Sequence, residues 1–318
     1  MSKKNMCGQK RKSKKKNLYT ELDFEKLIDR MNDHQVTIDG EIISFNNIDQ
    51  ILDTRSKCIY ETKTITSGPI REMEMYPLFP KKDIPEEFRV KGTTKSRKNL
   101  NNKNAVKYFT RKANANFGKG DYYVTLNYPD KNRPKTYEEV KKHVRAYINK
   151  LNYEYKKQQM TQEVKKFSSN AKKKYKKIKY MYVIEISKEG KGKNHVHMIL
   201  SSELSMDLVE KCWKHGRRNN IRRIDPDDKH ITDLANYLSK DPKGKKRWGC
   251  SKGLKEPVIT TSKKVSKKKI YNMSNNENII KAEMEKLNPK YKVIEFTITK
   301  NKWTNMPYIH VLMKKIED

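Results

Sequence analysis

Acidic residues are scarce in this chain, as are cysteine and any long apolar run. Only 38 Asp and Glu stand against 73 Lys and Arg, for a formal net charge of +35 over 318 residues. The four cysteines, Cys7, Cys58, Cys212 and Cys250, are scattered with no CxxC pair. That spacing fits neither a zinc knuckle nor a secreted disulfide framework and points to a reducing, cytoplasmic setting, that of a host cell. No apolar stretch approaches the roughly 20 residues a membrane span needs, and the N-terminus has no apolar signal core. No Walker-type GxxxxGK[ST] occurs, so a fused helicase is not expected. With 34% hydrophobic residues and a mean hydropathy of −1.05, the chain should form a modest core with long basic loops. What is abundant is positive charge, and its natural counterpart is a polyanion, because each neutralised phosphate releases condensed counterions. With no membrane segment in view, that polyanion is read as nucleic acid.

Four regions follow from composition. Residues 1–17 form a basic arm, with eight Lys or Arg between positions 2 and 17. Residues 18–104 read as an accessory region, with an amphipathic helix on Leu22, Phe24, Leu27, Ile28 and Met31, a hairpin through Asp39-Gly40, and a polar linker from Lys91 to Lys103. Residues 105–262 carry the chemistry. Residues 263–318 open on a basic segment and end in a hairpin of Lys292–Thr299 and Tyr308–Met313, whose single His310 suggests ordinary amphipathic pairing.

Within the third region, Tyr123–Tyr128 reads as a strand with Val124, Leu126 and Tyr128 on one face. Thr136-Tyr137-Glu138-Glu139 is a capping box opening a helix with a stripe of Tyr137, Val140, Val144, Tyr147, Ile148 and Leu151. Ser205 caps a second helix, Asn220–Ile224 is a short strand, and a third helix runs from about Lys229 to Ser239. This order predicts an α+β fold, an antiparallel sheet with helices on one face and the other face free for a ligand.

The stretch 182–200 reads as a hairpin. His195 and His197, two apart on its second strand, leave the same face, while Val196, Met198 and Leu200 take the core face. On the first strand Glu185 shares the histidines' side once the apolar faces meet. Two imidazoles and a carboxylate on one sheet face suit a divalent cation. In the third helix Ile231, Leu234, Ala235 and Leu238 make the core stripe, and Tyr237 lies roughly 110° away from it with Lys240 on its own face. Lys191, Lys193, Arg222, Arg223, Lys245, Lys246 and Arg247 are candidate nucleic-acid contacts.

Together Tyr-Val-Thr-Leu-Asn-Tyr (123–128), His-Val-His-Met-Ile-Leu (195–200) and Ala-Asn-Tyr-Leu-Ser-Lys-Asp (235–241) resemble the three motifs of the HUH endonucleases. The match is closest to rolling-circle replication initiators of phages and plasmids, over about residues 105–260, with Trp213–Gly216 and Lys246–Pro257 also similar to that group. The resemblance implies a ferredoxin- or RRM-like core with Mg²⁺ or Mn²⁺ on its open face. It implies His195 and His197 as metal ligands, with Glu185 as the third. Tyr237 would be the nucleophile on single-stranded origin DNA, and Lys240 would orient the phosphate. The expected product is a 5′-phosphotyrosine with a free 3′-OH, and a host helicase and polymerase would be the further partners. Asp241 stands where a second tyrosine would lie, so one tyrosine is expected. The competing readings are a non-catalytic RRM-like nucleic-acid-binding protein and an HUH transposase or relaxase.

Overall fold

The computed structural model describes residues 18–20, 37–38, 41–42, 59–80, 95–129, 131, 133–164, 175–185, 194–216, 220–239, 248–300 and 306–316. In chain order the strands are β1 (Leu18–Thr20), β2 (Thr37–Ile38), β3 (Glu41–Ile42), β4 (Ile59–Ser67) and β5 (Ile70–Pro80), then helix α1 (Lys95–Asn114). Next come β6 (Tyr122–Asn127), α2 (Tyr137–Val164), β7 (Tyr180–Glu185), β8 (His195–Leu200), α3 (Met206–Lys211), β9 (Asn220–Arg223), α4 (Thr232–Leu238) and β10 (Gly249–Cys250). The chain continues through β11 (Val258–Ser262), α5 (Lys267–Asn275), α6 (Asn278–Leu287), β12 (Tyr291–Lys300) and β13 (Pro307–Lys315). The fold is α+β and built on two antiparallel sheets.

The first sheet has the order β10-β7-β8-β6-β9. Strand alternation sends Tyr122, Val124, Leu126, Ile184, Val196, Met198 and Leu200 to one face, where they meet Val140, Val144, Tyr147 and Leu151 of α2 and Val209 near α3. The predicted cap forms: the Glu139 N–H donates to Thr136 Oγ1 at 3.2 Å, and the Glu139 carboxylate accepts from the Lys135 N–H at 3.0 Å. Ser205 likewise caps α3 by accepting from the Leu208 N–H. These two helices cover the face the sequence assigned to them.

The opposite face carries a layer that periodicity does not reveal. Helix α1 runs Lys95–Asn114, so much of the polar run 91–103 is helix, not linker. Phe109 and Ala113 pack with Tyr123, Met181, Val183 and Ile199 of the sheet and with Ile231, Ala235 and Leu238 around α4. The helix hides from a hydrophobicity scan because Thr110, Arg111, Lys112 and Asn114 are also buried, and polar side chains of that kind need distant partners to be satisfied. The site face is thus covered at one end and open at the other.

The second sheet, order β11-β4-β5-β13-β12 with β1 alongside β5, joins strands from both ends of the described chain. Ile270, Met273, Ile280 and Met284 of α5 and α6 bury against Met73, Met75, Ile309, Val311 and Met313. The accessory region and the C-terminal hairpin are therefore neighbours in one sheet, and β11 joins them there. The β4–β5 hairpin turns through Gly68-Pro69, with Gly68 at φ +61° and its missing Cβ 2.2 Å from the Asn114 carbonyl oxygen. Only glycine has both the required φ and the required clearance there. β2 and β3 pair across Asp39-Gly40 as the sequence suggests; the expected Leu22–Met31 helix lies outside the described residues.

α1 also joins the sheets through charge. Arg111 donates to both oxygens of Glu72, at 2.9 and 2.6 Å, and to Glu74 at 3.0 Å. Burial alone would raise the Glu72 pKa, but hydrogen bonds from His310 and Arg111 and the guanidinium charge hold it at about 2. His310 is thereby a satisfied member of an ion-pair network, consistent with ordinary hairpin pairing.

Candidate active site

Strand register assembles the site. Glu185 pairs with His195 and Val183 with His197 across β7–β8. Across β8–β6, His195 pairs with Asn127 and His197 with Thr125. Glu185, His195 and Asn127 therefore form one row over three strands, and His197 and Thr125 lie in the next. The predicted facing of Glu185 with both histidines is what this register produces.

Each imidazole has a partner on β6. His195 Nδ1 lies 3.1 Å from Asn127 Oδ1. An amide oxygen can only accept, so Nδ1 carries the proton and the Nε2 lone pair is left for a ligand. His197 Nδ1 lies 3.0 Å from the Tyr123 hydroxyl and 3.3 Å from Thr125 Oγ1, and its Nε2 lies 3.3 Å from Glu185 Oε2. Burial lowers the His197 pKa, with Glu185 acting against it, so the ring is biased toward the neutral form that metal ligation requires. Tyr123 stacks on His197 at 6.2 Å between ring centres, and burial raises its pKa.

Tyr123, Thr125 and Asn127 are the residues that sequence reasoning missed. The signal is present: they are the alternate positions of the strand whose core face is legible from its apolar residues. The Trp213–Gly216 segment shows why that strand end is held so firmly. The Trp213 indole N–H donates to the Asn127 carbonyl at 3.1 Å, and a Cβ on Gly216 would stand 2.1 Å from the same oxygen. The segment clamps the backbone that aims Asn127 at His195.

Helix α4 brings Tyr237 to this face. Ile231, Ala235 and Leu238 are buried while Tyr237 is 57% exposed. Its ring meets that of His197 edge-on at 6.3 Å and 72°. A tyrosine about forty positions downstream thus stands over the histidine pair. Arg222 extends the same face, with its guanidinium 4.8 Å from the Tyr123 ring centre. Arg223 points the other way, over Tyr122 and to the Gly120 carbonyl. Lys191, Lys193, Lys240, Lys245, Lys246 and Arg247 lie outside the described residues.

The donor set of two imidazoles and a carboxylate is chemically suited to a divalent ion. Its three ligand atoms are not gathered to the 4.8 Å at which, among the described residues, those of Glu72, Glu74 and His310 converge. At that second cluster the Arg111 guanidinium already supplies the positive charge. At the first, His197 and Glu185 are joined through the position a bridging proton takes, and His195 presents its nitrogen beside them with the rings 5.9 Å apart. The residues fit a cation that would replace that proton.

Fold and site together define an α+β nucleic-acid-type unit with histidines, a carboxylate and a tyrosine on one sheet face. Residues 121–242, from the start of β6 to just beyond α4, match the model of a family of replication-associated proteins, that of ORF2 and the gene 2 protein. The chain therefore carries a replication-associated unit of that family, in agreement with the resemblance read from its motifs. No curated protein and no solved structure matches it significantly. Among the described residues no helix is long and apolar enough to cross a membrane.

Proposed function

We propose that the protein initiates replication by nicking and joining single-stranded DNA at an origin, with Tyr237 as nucleophile and His195, His197 and Glu185 as ligands of Mg²⁺ or Mn²⁺. The observation that carries this reading is the approach of Tyr237 to His197 on the face where Glu185 and both histidines converge. The Tyr237 phenol oxygen bonds to phosphorus as the bond from phosphorus to the 3′ oxygen breaks. The phenol proton is lost to solvent, and the departing oxygen takes up a proton to become a 3′-OH. The DNA 5′ end remains on the tyrosine. A divalent cation would supply charge neutralisation on the non-bridging phosphate oxygens. Asn127 holds the tautomer of His195, and Tyr123 and Thr125 hold the ring of His197. Arg222 and Lys240 would contact or orient the phosphate backbone.

A purely binding RRM-like sheet asks for exposed aromatic platforms on its strands. Here the strand aromatic on that face, Tyr123, is only 5% exposed, and the exposed ring belongs to a helix. The test is incubation with Mn²⁺ and single-stranded DNA from the element's origin region, followed by mapping of the modified residue. Wild-type protein should give a covalent adduct at Tyr237 that Tyr237→Phe abolishes while still binding DNA. An undiminished adduct in the variant would end the assignment.

A further inference from the structure

Helix α4 has only seven residues, and its N-cap, Ile231, makes no side-chain capping hydrogen bond. Such a short segment has no stable helical state of its own and takes its position from what it packs against. Its packing partner is α1, which lies ahead of the family-matched segment 121–242. The two helices share the apolar contacts of Phe109, Ala113, Ile231, Ala235 and Leu238, but apolar contacts alone tolerate sliding and rolling.

Two polar rungs remove that freedom. The Thr110 hydroxyl donates to Asn236 Oδ1 at 2.8 Å, and the Asn114 amide donates to Thr232 Oγ1 at 2.9 Å. The partners are four apart on each helix and run in opposite senses, so the rungs are one turn apart on an antiparallel pair. On α1 both members are buried, Thr110 at 6% and Asn114 at 3% exposure. One residue after Asn236, and about 100° further round the helix, comes Tyr237. Fixing Asn236 against α1 therefore fixes the direction in which the tyrosine leaves α4. α1 is itself held on the second sheet by Arg111.

We infer that Asn236 and Thr110 are positioning residues, whose hydrogen bond sets the roll of α4 and with it the placement of the Tyr237 oxygen over the histidine pair. The inference rests on Tyr237 being the nucleophile. Thr110 is buried on α1, on the far side of the rung from the tyrosine, so an effect of changing it must travel through α4. Misplacing a reacting atom by about 1 Å can lower a rate on the order of a hundredfold.

The experiment is single-turnover adduct formation by the full chain with Mn²⁺ and origin single-stranded DNA, comparing wild type, Thr110→Val, Thr110→Ser, Asn236→Ala and the Thr110→Val/Asn236→Ala double variant. Thr110→Val and Asn236→Ala should each lower the rate constant on the order of tenfold or more. DNA affinity and adduct amplitude should hold, Thr110→Ser should restore the rate, and the double variant should be no slower than the slower single one. A purely structural role would instead reduce amplitude at an unchanged rate constant, which overturns the inference. Wild-type rates in both single variants also overturn it. If Thr110→Val fails to fold, the surface variant Asn236→Ala decides by the same readout. Absence of any wild-type adduct removes the nucleophile itself and with it this inference. A Tyr237-dependent adduct with unaffected variants removes the positioning role alone.

Discussion

Asn127 illustrates how much of a site rests on a residue that touches no reactant. Its side-chain oxygen receives the His195 Nδ1 proton, and its backbone oxygen is held by Trp213. Removing such an outer partner commonly costs about 10- to 100-fold in metal affinity. Asn127→Ala should accordingly weaken Mn²⁺ binding by about that factor in a calorimetric titration, with the fold retained. An unchanged affinity would remove His195 from the ligand set or Asn127 from its support. At this scale the sequence is informative wherever one periodic rule suffices. Period two places His195, His197 and Glu185 on a common face, and period 3.6 puts Tyr237 off the core stripe. It is uninformative where two strands have to be in register. Asn127 becomes a partner of His195 only because β6 and β8 align as they do.

Among the elements, α1 is the hardest to see and connects the most. A helix whose buried positions include Thr110, Arg111, Lys112 and Asn114 lacks the apolar stripe by which amphipathic helices are recognised. Its polar residues are satisfied by partners far away in sequence, such as Glu72, Asn236 and Glu256. The α1–β5 connection has a testable pH signature. Glu72 has a folded pKa of about 2 against an ordinary 4.5, so as pH falls the unfolded chain takes up the proton first. The pairing contributes fully above about pH 4.5 and is lost as pH falls toward 2, a loss on the order of 3 kcal/mol. In urea melts from pH 6 to pH 2, Glu72→Gln should start less stable than wild type and lose less on acidification. Parallel acid limbs for the two proteins would refute the assignment.

At the scale of the whole molecule, +35 of formal charge surrounds a site face on which the described cation is Arg222. If the charge serves DNA, the affinity for single strands must fall steeply with salt. Engagement of about five phosphates gives a slope near −3.5 in log K against log salt. A slope shallower than about −1 in a fluorescence-anisotropy titration would mean the charge faces something else. The α+β class and the order of elements from β6 to α4 are legible because each is local. The second sheet is not, because its strands read as separate hairpins until β5 meets β13.

That meeting also orders events during biosynthesis. Glu72 and His310 are 238 residues apart, so at roughly 5 to 20 residues per second the ribosome needs on the order of ten to fifty seconds to supply β13 after β5. During that interval Met73 and Met75 lack their covering strand, and the β5 platform that anchors Arg111 is incomplete. The replication-associated unit can be fully translated while its mounting is still being made. The DNA-facing geometry is then completed last, when the nascent chain releases its final strand.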